Sequence, residues 1–155
     1  MPNPKPRVFL DSNVIFSGLY SSKGAPGIIL GLFVKGEISV VVSQQVLEEV
    51  IRTIKKKLPG ALPALKRFLV SMPPEVRPDP TLEEIKRWTG KSPVADAAIL
   101  AAALATQPNY FITGDNHFLE NQRIIEEAGL PIITPAQFLK LLEPDSEVDY
   151  ERRRP

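Results

Sequence analysis

Four short apolar runs along the chain predict strands buried inside a sheet. They are nearly continuous, and the second is rich in β-branched residues, which is typical of parallel strands covered on both faces. The runs are Arg7–Leu10 (RVFL), Ile38–Val42 (ISVVV), Tyr110–Thr113 (YFIT) and Pro131–Thr134 (PIIT).

Between these runs, apolar residues recur at helical spacing. Ser43 and the pair Ser92-Pro93 have the residue types of helix N-termini, and Gly129 that of a helix end. A proline-rich turn is expected between Val70 and Leu82. The predicted helices cover 28–34, 46–58, 62–70, 82–88, 94–105, 116–128 and 135–142.

Strands that alternate with helices predict an α/β fold in three layers, α/β/α, with a central, mainly parallel sheet of four to five strands. The length of 155 residues fits one domain, which we place at residues 1–142. Residues 143–155 are polar and charged, and we expect this tail to be disordered.

Composition limits the chemistry that the chain can perform. The absence of cysteine excludes disulfides and thiolate metal sites, and the single histidine, His117, excludes a multi-histidine zinc site within one chain. Any metal must therefore be held mainly by oxygen atoms, which favours Mg²⁺, Mn²⁺ or Ca²⁺. The net charge of +1 creates no strong overall field. With neither a signal peptide nor an apolar stretch of membrane-spanning length, we expect a cytoplasmic protein with no membrane association.

Carboxylates stand where the predicted strands end. Asp11 directly follows the first strand, Asp115 follows the third by one glycine, and Asp96 lies in the first turn of the alanine-rich helix. Ligands of open parallel sheets bind beyond the carboxyl ends of the strands. Glu48 and Glu49 flank the apolar stripe of another helix on opposite sides, so at most one should face a shared cleft, and helix geometry leaves open which one.

Each acid also has a simpler explanation. An aspartate after a strand is often a turn or cap residue, Asp96 would suit the positive end of its helix, and Glu48 and Glu49 would ordinarily be solvated. The coincidence of all these positions is what favours a shared pocket. Clustered carboxylates repel one another unless a cation is present, and a divalent ion resolves that repulsion.

Four motifs, taken in order, resemble those of the PIN-domain family from Arg7 to about Leu142. They are DSNV at Asp11–Val14, SQQVLEEV at Ser43–Val50, DAAILAAAL at Asp96–Leu104 and ITGD at Ile112–Asp115. The ending PIITPAQFL at Pro131–Leu139 is similar to that of a VapC-like toxin subgroup.

The resemblance implies a metal-dependent endoribonuclease that uses Mg²⁺ or Mn²⁺. It also implies an antitoxin protein partner and a homodimer. Asp11, Glu49, Asp96 and Asp115 match the family's acidic catalytic and metal-binding positions, so the resemblance selects Glu49 over Glu48. Asn13 and Thr113 match polar positions that support the first acid or the phosphate.

His117 departs from the family pattern, because many members carry another acid two residues beyond the last aspartate. This difference puts a second metal site, or full activity, in question. As a supporting residue, His117 could be a surface or capping side chain, or could protonate the leaving group.

RNA contacts would have to come from local basic groups. Candidates are Lys55–Lys57, Lys66-Arg67, Lys86-Arg87, Lys91 and Arg152–Arg154, although lysines at helix ends also serve as dipole partners. The alternative function is a PIN-fold module that binds RNA or protein without cutting. A phosphatase with Asp11 as nucleophile would want a second aspartate where Asn13 stands, and no glycine-rich phosphate loop indicates an NTPase.

Overall fold

The first apolar run of the chain becomes the central strand of the sheet. The computed structural model describes residues 4–71, 73–90 and 93–143, and its sheet has five parallel strands in the order β3-β2-β1-β4-β5. The strands are β1 (Arg7–Leu10), β2 (Ser39–Ser43), β3 (Glu75–Arg77), β4 (Tyr110–Ile112) and β5 (Ile132–Ile133).

Nine α-helices connect and cover the strands within the described ranges, and a short 3₁₀ helix, Pro59–Ala61, follows the third of them. The α-helices are α1 (Ser12–Tyr20), α2 (Ala25–Val34), α3 (Gln44–Lys57), α4 (Leu62–Ser71), α5 (Leu82–Thr89), α6 (Val94–Ala105), α7 (Asn116–Leu119), α8 (Gln122–Ala128) and α9 (Pro135–Leu142).

The helices form a layer on each face of the sheet, as predicted. The chain moves from β1 through β2 to β3 in one direction and then returns past β1 to β4 and β5. Because parallel crossovers are right-handed, connections that run in opposite directions lie on opposite faces. Accordingly α1 packs on α2 and α3, whereas α5 packs on α6. No helix in the described part of the chain is long and apolar enough to cross a membrane.

The predicted strands are confirmed, but β3 was missed. Its residues are exposed and lie in the proline-rich segment that was expected to be only a turn. The strand pairs with β2, and Arg7 donates two hydrogen bonds, each of 3.0 Å, to the Glu75 carboxylate. An exposed three-residue edge strand has no apolar pattern of its own, so only its partners reveal it.

The helices also differ from the prediction, by a few residues at several ends and more substantially at three places. Helix α1 was not expected, because Ser12 and Asn13 at its start are weak helix formers. The predicted helix 116–128 is two helices, since Asn121 interrupts it and caps α8 by accepting from the Ile124 amide. Pro93 is the N-cap of α6 rather than its first residue. Ser92 lies outside the described residues, as do residues 144–155 of the tail that was predicted to begin at 143.

The register of the central strands positions the site. Leu10 of β1 lies beside Ile112 of β4, and the Asp11 amide donates to the Ile112 carbonyl at 3.0 Å. The residues that follow these strands, Asp11 and Thr113, therefore emerge side by side. The chain leaves β1 and β4 toward opposite faces, so this edge is the topological switch point at which open α/β sheets bind ligands.

Candidate acidic site at the carboxyl edge of the sheet

Asp11 is a buried carboxylate at the centre of this edge, with 3% of its surface exposed. Its Oδ1 accepts from the Ser12 amide at 2.8 Å and so caps α1. Its Oδ2 accepts from the Thr113 hydroxyl at 2.7 Å and from the Asn13 amide group at 3.2 Å. The cap function that the sequence suggested is real, yet it uses one oxygen only. The other oxygen is oriented by Asn13 in the first turn of α1 and by Thr113, which follows β4.

Asn13 and Thr113 tie the two strand ends together. The Asn13 side chain accepts from the Gly114 amide at 2.9 Å, and the Thr113 hydroxyl accepts from the Asp115 amide at 3.0 Å. A Cβ at Gly114 would lie 3.4 Å from Asn13 Oδ1, which is an ordinary van der Waals contact, so the Asn13 side chain packs directly against this backbone. Both residues that were predicted to support the first acid contact it directly.

Glu49 extends from α3 toward the same edge. Its Oε2 accepts from the Ser12 hydroxyl at 2.9 Å, and its Oε1 accepts from Gln45 Nε2 at 3.3 Å. The same Gln45 nitrogen donates to the Ala95 carbonyl at 3.3 Å, which joins α3 to the first turn of α6. Glu48 is exposed. The structure thus places Glu49 in the cluster, as the family resemblance implied and helix geometry alone could not decide.

Asp96, Asp115 and His117 form the tightest group of possible ligands. One ligand atom from each lies within 4.8 Å of the other two. His117 Nδ1 lies 3.3 Å from Asp96 Oδ2 and 3.6 Å from Asp115 Oδ1. Asp115 Oδ1 also accepts from the His117 amide at 2.8 Å, so Asp115 caps the short α7. Among the described residues, Asp11 and Glu49 lie outside this three-residue group.

Electrostatic coupling unites the four carboxylates. Burial raises the pKa of Asp11 from 3.8 to about 6, hydrogen bonds from Thr113 and Ser12 oppose that rise, and the charges of Glu49 and Asp115 add to it. Burial also raises the pKa of Asp96, followed by repulsion from Asp115, whereas His117 lowers it. Glu49 and Asp115 therefore each act on both other acids.

The donor set fits a hard or borderline divalent cation. Carboxylate oxygens predominate, one imidazole nitrogen joins them, and the negative charges oppose one another across a partly buried edge. Such a concentration of negative charge is stabilised by a cation, and oxygen-rich sites suit Mg²⁺ or Mn²⁺. Asp96, Asp115 and His117 are the residues placed to hold an ion, with Asp11 and Glu49 beside them.

The sequence had not singled out Ser12 and Gln45. Ser12 lies between two residues that were noted, and its hydroxyl spans from α1 to Glu49. Gln45 precedes Glu49 by four residues, which is the spacing of neighbours on one helix face. That spacing could have identified Gln45 as a neighbour of Glu49. Gln44 and Glu48 have the same spacing, however, so it could not select the correct glutamate.

The predicted basic candidates differ in where they lie. Lys55–Lys57 are exposed in the last turn of α3, about 9–12 Å farther along the helix axis than Glu49. Lys66-Arg67 and Lys86-Arg87 are exposed on α4 and α5, and Arg87 lies 4.8 Å from the centre of the Trp88 ring. Lys91 and Arg152–Arg154 lie outside the described residues.

The fold and the site together define a class of protein: a three-layer α/β domain with a parallel sheet and an acidic site at its switch point. The family model for the PIN domain matches residues 7–117, so the chain belongs to the PIN domain family. A comparison with curated protein sequences finds no match.

Two solved structures share the fold. A chain in the crystal structure of VapBC2 from Rickettsia felis, bound to a DNA fragment from their promoter, has a TM-score of 0.59 and 17% identity, covering 83% of this chain and 98% of that one. PAE2754 from Pyrobaculum aerophilum has a TM-score of 0.60 and 18% identity, covering 88% of this chain and 89% of that one. At these identities the similarity establishes the fold.

Proposed function

We propose that this PIN-domain protein is a divalent-metal-dependent endoribonuclease that hydrolyses RNA phosphodiester bonds. The observation that carries the proposal is the convergence of Asp11, Glu49, Asp96 and Asp115, which come from four separate elements and interact at one edge of the sheet. Two of them are further fixed by hydrogen bonds from outside their own element. Membership of the PIN domain family supports a nuclease.

Mg²⁺ or Mn²⁺ is the proposed cofactor, held by Asp96 and Asp115 with Asp11 and Glu49 completing the acidic site. When bound, such an ion lowers the pKa of a coordinated water and polarises the scissile phosphate. The cluster also explains why a cation is needed: without one, its carboxylates would repel the phosphate backbone as well as one another.

The chain's own contribution is to hold the carboxylates in fixed positions before RNA arrives. Thr113 and Asn13 fix one oxygen of Asp11, and Ser12 with Gln45 fixes both oxygens of Glu49. A carboxylate whose partners are already in place needs little reorganisation during the reaction. In this scheme Glu49, which is half-buried, orients the attacking water or accepts its proton, and hydrolysis leaves a 5′-phosphate and a 3′-hydroxyl.

RNA must approach this acidic edge by way of positive charge. The exposed lysines at the end of α3, Lys55–Lys57, are the best candidates for contact with RNA, because the same helix carries Glu49. They would contact phosphates a short distance from the scissile bond and contribute affinity that weakens as salt rises. Substitution of these lysines should raise KM more than it lowers kcat.

The first experiment uses a panel of structured and single-stranded RNAs with Mn²⁺, Mg²⁺ or EDTA. Glu49→Gln and its neighbour Glu48→Gln form a matched pair, because both lose one carboxylate from the same helix. We expect Glu49→Gln and Asp96→Asn to lose at least roughly a hundredfold in cleavage rate, whereas Glu48→Gln should stay within about twofold of wild type.

Three results would contradict the proposal. Cleavage that persists in EDTA would show that the reaction does not need a metal ion. Cleavage retained by both Glu49→Gln and Asp96→Asn would show that the active site lies elsewhere. RNA that is bound but not cut under any of these metals would support the alternative function, a catalytically inactive PIN-fold module that binds RNA or protein.

We further propose that this nuclease is the toxin of a toxin-antitoxin pair and forms a homodimer. The similarity to a chain of VapBC2 supports a protein partner. Leu65 and Phe68 are buried in the core, and Leu19 packs against it, so these apolar residues are not available to an interface. Exposed apolar residues on α2 and α9 are better placed, namely Ile28, Val34, Leu141 and Leu142.

The reading frame next to this gene gives the test of the partner. Expression of this chain alone should slow growth, co-expression of a small neighbouring protein should restore it, and the two should co-purify. Growth that is unaffected by a chain active on RNA in vitro would contradict the toxin role, and light scattering of the purified chain would decide whether it is a dimer.

A further inference from the structure

His117 presents a ring nitrogen, rather than an oxygen, to the two acids of the cluster. Its Nδ1 faces Asp96 Oδ2 at 3.3 Å and Asp115 Oδ1 at 3.6 Å. Its side chain is otherwise 72% exposed, so the imidazole is also open to solvent. The side chain is thus neither buried in a core nor directed wholly away from the site.

The separation of these atoms matches the spacing of ligands around one ion. Protein ligands bind first-row divalent ions at about 2.0–2.2 Å, so two ligands at right angles lie about 3 Å apart, and two opposite ligands about 4.2 Å. The two distances from Nδ1 to the carboxylate oxygens exceed the separation of ligands at right angles by a few tenths of an ångström. Rotation of one exposed imidazole and two carboxylates can supply that contraction without any change in the backbone.

Backbone geometry also fixes where the imidazole stands. Asp115 caps α7 by accepting from the His117 amide at 2.8 Å, which places the histidine in the first turn of the helix. Phe118, the next residue, is buried and anchors that helix in the core. The exposed ring is therefore attached to a fixed backbone position beside the acids.

We propose that His117 is a metal ligand and that its nitrogen makes this site select Mn²⁺ over Mg²⁺. Mg²⁺ binds almost entirely through oxygen, whereas an imidazole nitrogen is a good ligand for first-row transition ions. A carboxylate at the same position would give an all-oxygen site that suits Mg²⁺ equally well. The inference rests on the proposed function only in assuming that the acidic cluster holds a divalent ion.

Metal binding without RNA provides the test. Calorimetric titration of the full chain with Mn²⁺ and with Mg²⁺ gives the ratio of the two affinities for wild type, His117→Asp and His117→Ala. We expect His117→Asp to reduce the preference for Mn²⁺ by at least about tenfold, chiefly by strengthening Mg²⁺ binding. His117→Ala should weaken Mn²⁺ binding and leave Mg²⁺ binding nearly unchanged. Glu120→Ala, which removes an exposed carboxylate at the end of the same helix, should leave the ratio unchanged.

Pulsed electron paramagnetic resonance of the Mn²⁺-loaded chain gives a second and direct readout. Coupling of the ion to a ¹⁴N nucleus is expected in wild type and should disappear in both His117 variants. Absence of the nitrogen coupling in wild type, an unchanged affinity ratio in His117→Asp, or failure of Mn²⁺ to bind would each overturn the inference. These measurements use no RNA, so the two proposals can fail separately. Nitrogen coupling to Mn²⁺ in a chain that does not cleave RNA would refute only the proposed nuclease activity. Metal-dependent cleavage in a chain without nitrogen coupling would refute only the proposal that His117 is a ligand.

Discussion

Asp11→Asn should change how the stability of the protein depends on pH. The pKa of Asp11 is raised from 3.8 to about 6 in the native state, mainly by burial. Between these values the native state binds more protons than the unfolded state, so the unfolding free energy falls as pH rises through this window. At about 1.4 kcal/mol for each pH unit, the ionised Asp11 destabilises the native state by up to about 3 kcal/mol at pH 7.

That amount is a large part of the roughly 5–15 kcal/mol that stabilises an ordinary domain. Asparagine cannot titrate, so the unfolding free energy of Asp11→Asn relative to wild type should increase by up to about 3 kcal/mol from pH 4 to pH 7. Asparagine caps a helix as well as aspartate does, so the N-cap of α1 is retained. The hydrogen bond from the Asn13 amide group is lost, which costs the variant about 1 kcal/mol at every pH and therefore does not affect this slope.

Urea denaturation in EDTA at several pH values measures the difference in unfolding free energy between Asp11→Asn and wild type. The comparison requires that the unfolding free energy of both proteins depends on urea concentration with the same slope. Addition of Mn²⁺ at pH 7 should stabilise the wild type, because the ion binds the native state and not the unfolded one. It should stabilise the variant less, because the variant lacks the Asp11 charge beside the proposed ion. A difference that changes by less than about 1 kcal/mol over this range would refute the electrostatic account of Asp11.

Two other changes test the structure around the site by the same denaturation measurement. Gly27→Ala should lower the unfolding free energy by about 1–3 kcal/mol, because its Cβ would lie 2.3 Å from the Ser21 carbonyl oxygen. Gly31→Ala in the same helix meets nothing within 4 Å and should gain up to about 1 kcal/mol. Equal effects would show that α2 does not pack this closely on the connection that follows α1. Thr113→Val should cost about 1–3 kcal/mol, since it removes the donor to Asp11. It should also raise the Asp11 pKa further, so that the fall in stability with rising pH extends to higher pH and is larger in total. A pH dependence unchanged from wild type would contradict the role of that hydroxyl.

The sequence allowed the central elements to be predicted because their burial leaves an apolar pattern. β1, β2, β4 and β5 were all identified from short apolar runs, and α9 was placed with its observed bounds, Pro135–Leu142. β3 could not be predicted in this way, because its three exposed residues depend on β2 and on Arg7 for their position. The break between α7 and α8 depends on one side-chain cap, which a helical pattern that continues across it conceals.

The composition of the site was easier to predict than its connections. Asp11 and Asp115 could be placed because strand ends of a parallel sheet meet at one edge. The choice of Glu49 required either the family resemblance or its hydrogen bonds to Ser12 and Gln45. The approach of His117 to Asp96 joins two helices that are separated by β4, and such a contact has no signature in the local sequence.

The bond between Thr113 and Asp11 joins residues that are 102 positions apart, and it has a consequence for how the protein is made. Synthesis proceeds from the N-terminus, and a domain folds as a unit once its parts are available. A nascent chain that ends before Thr113 carries Asp11, Glu49 and Asp96 without the residues that complete their edge of the sheet. The proposed nuclease would thus be inactive while it is still being translated. Cleavage of cellular RNA could begin only after residues 113–117 had left the ribosome.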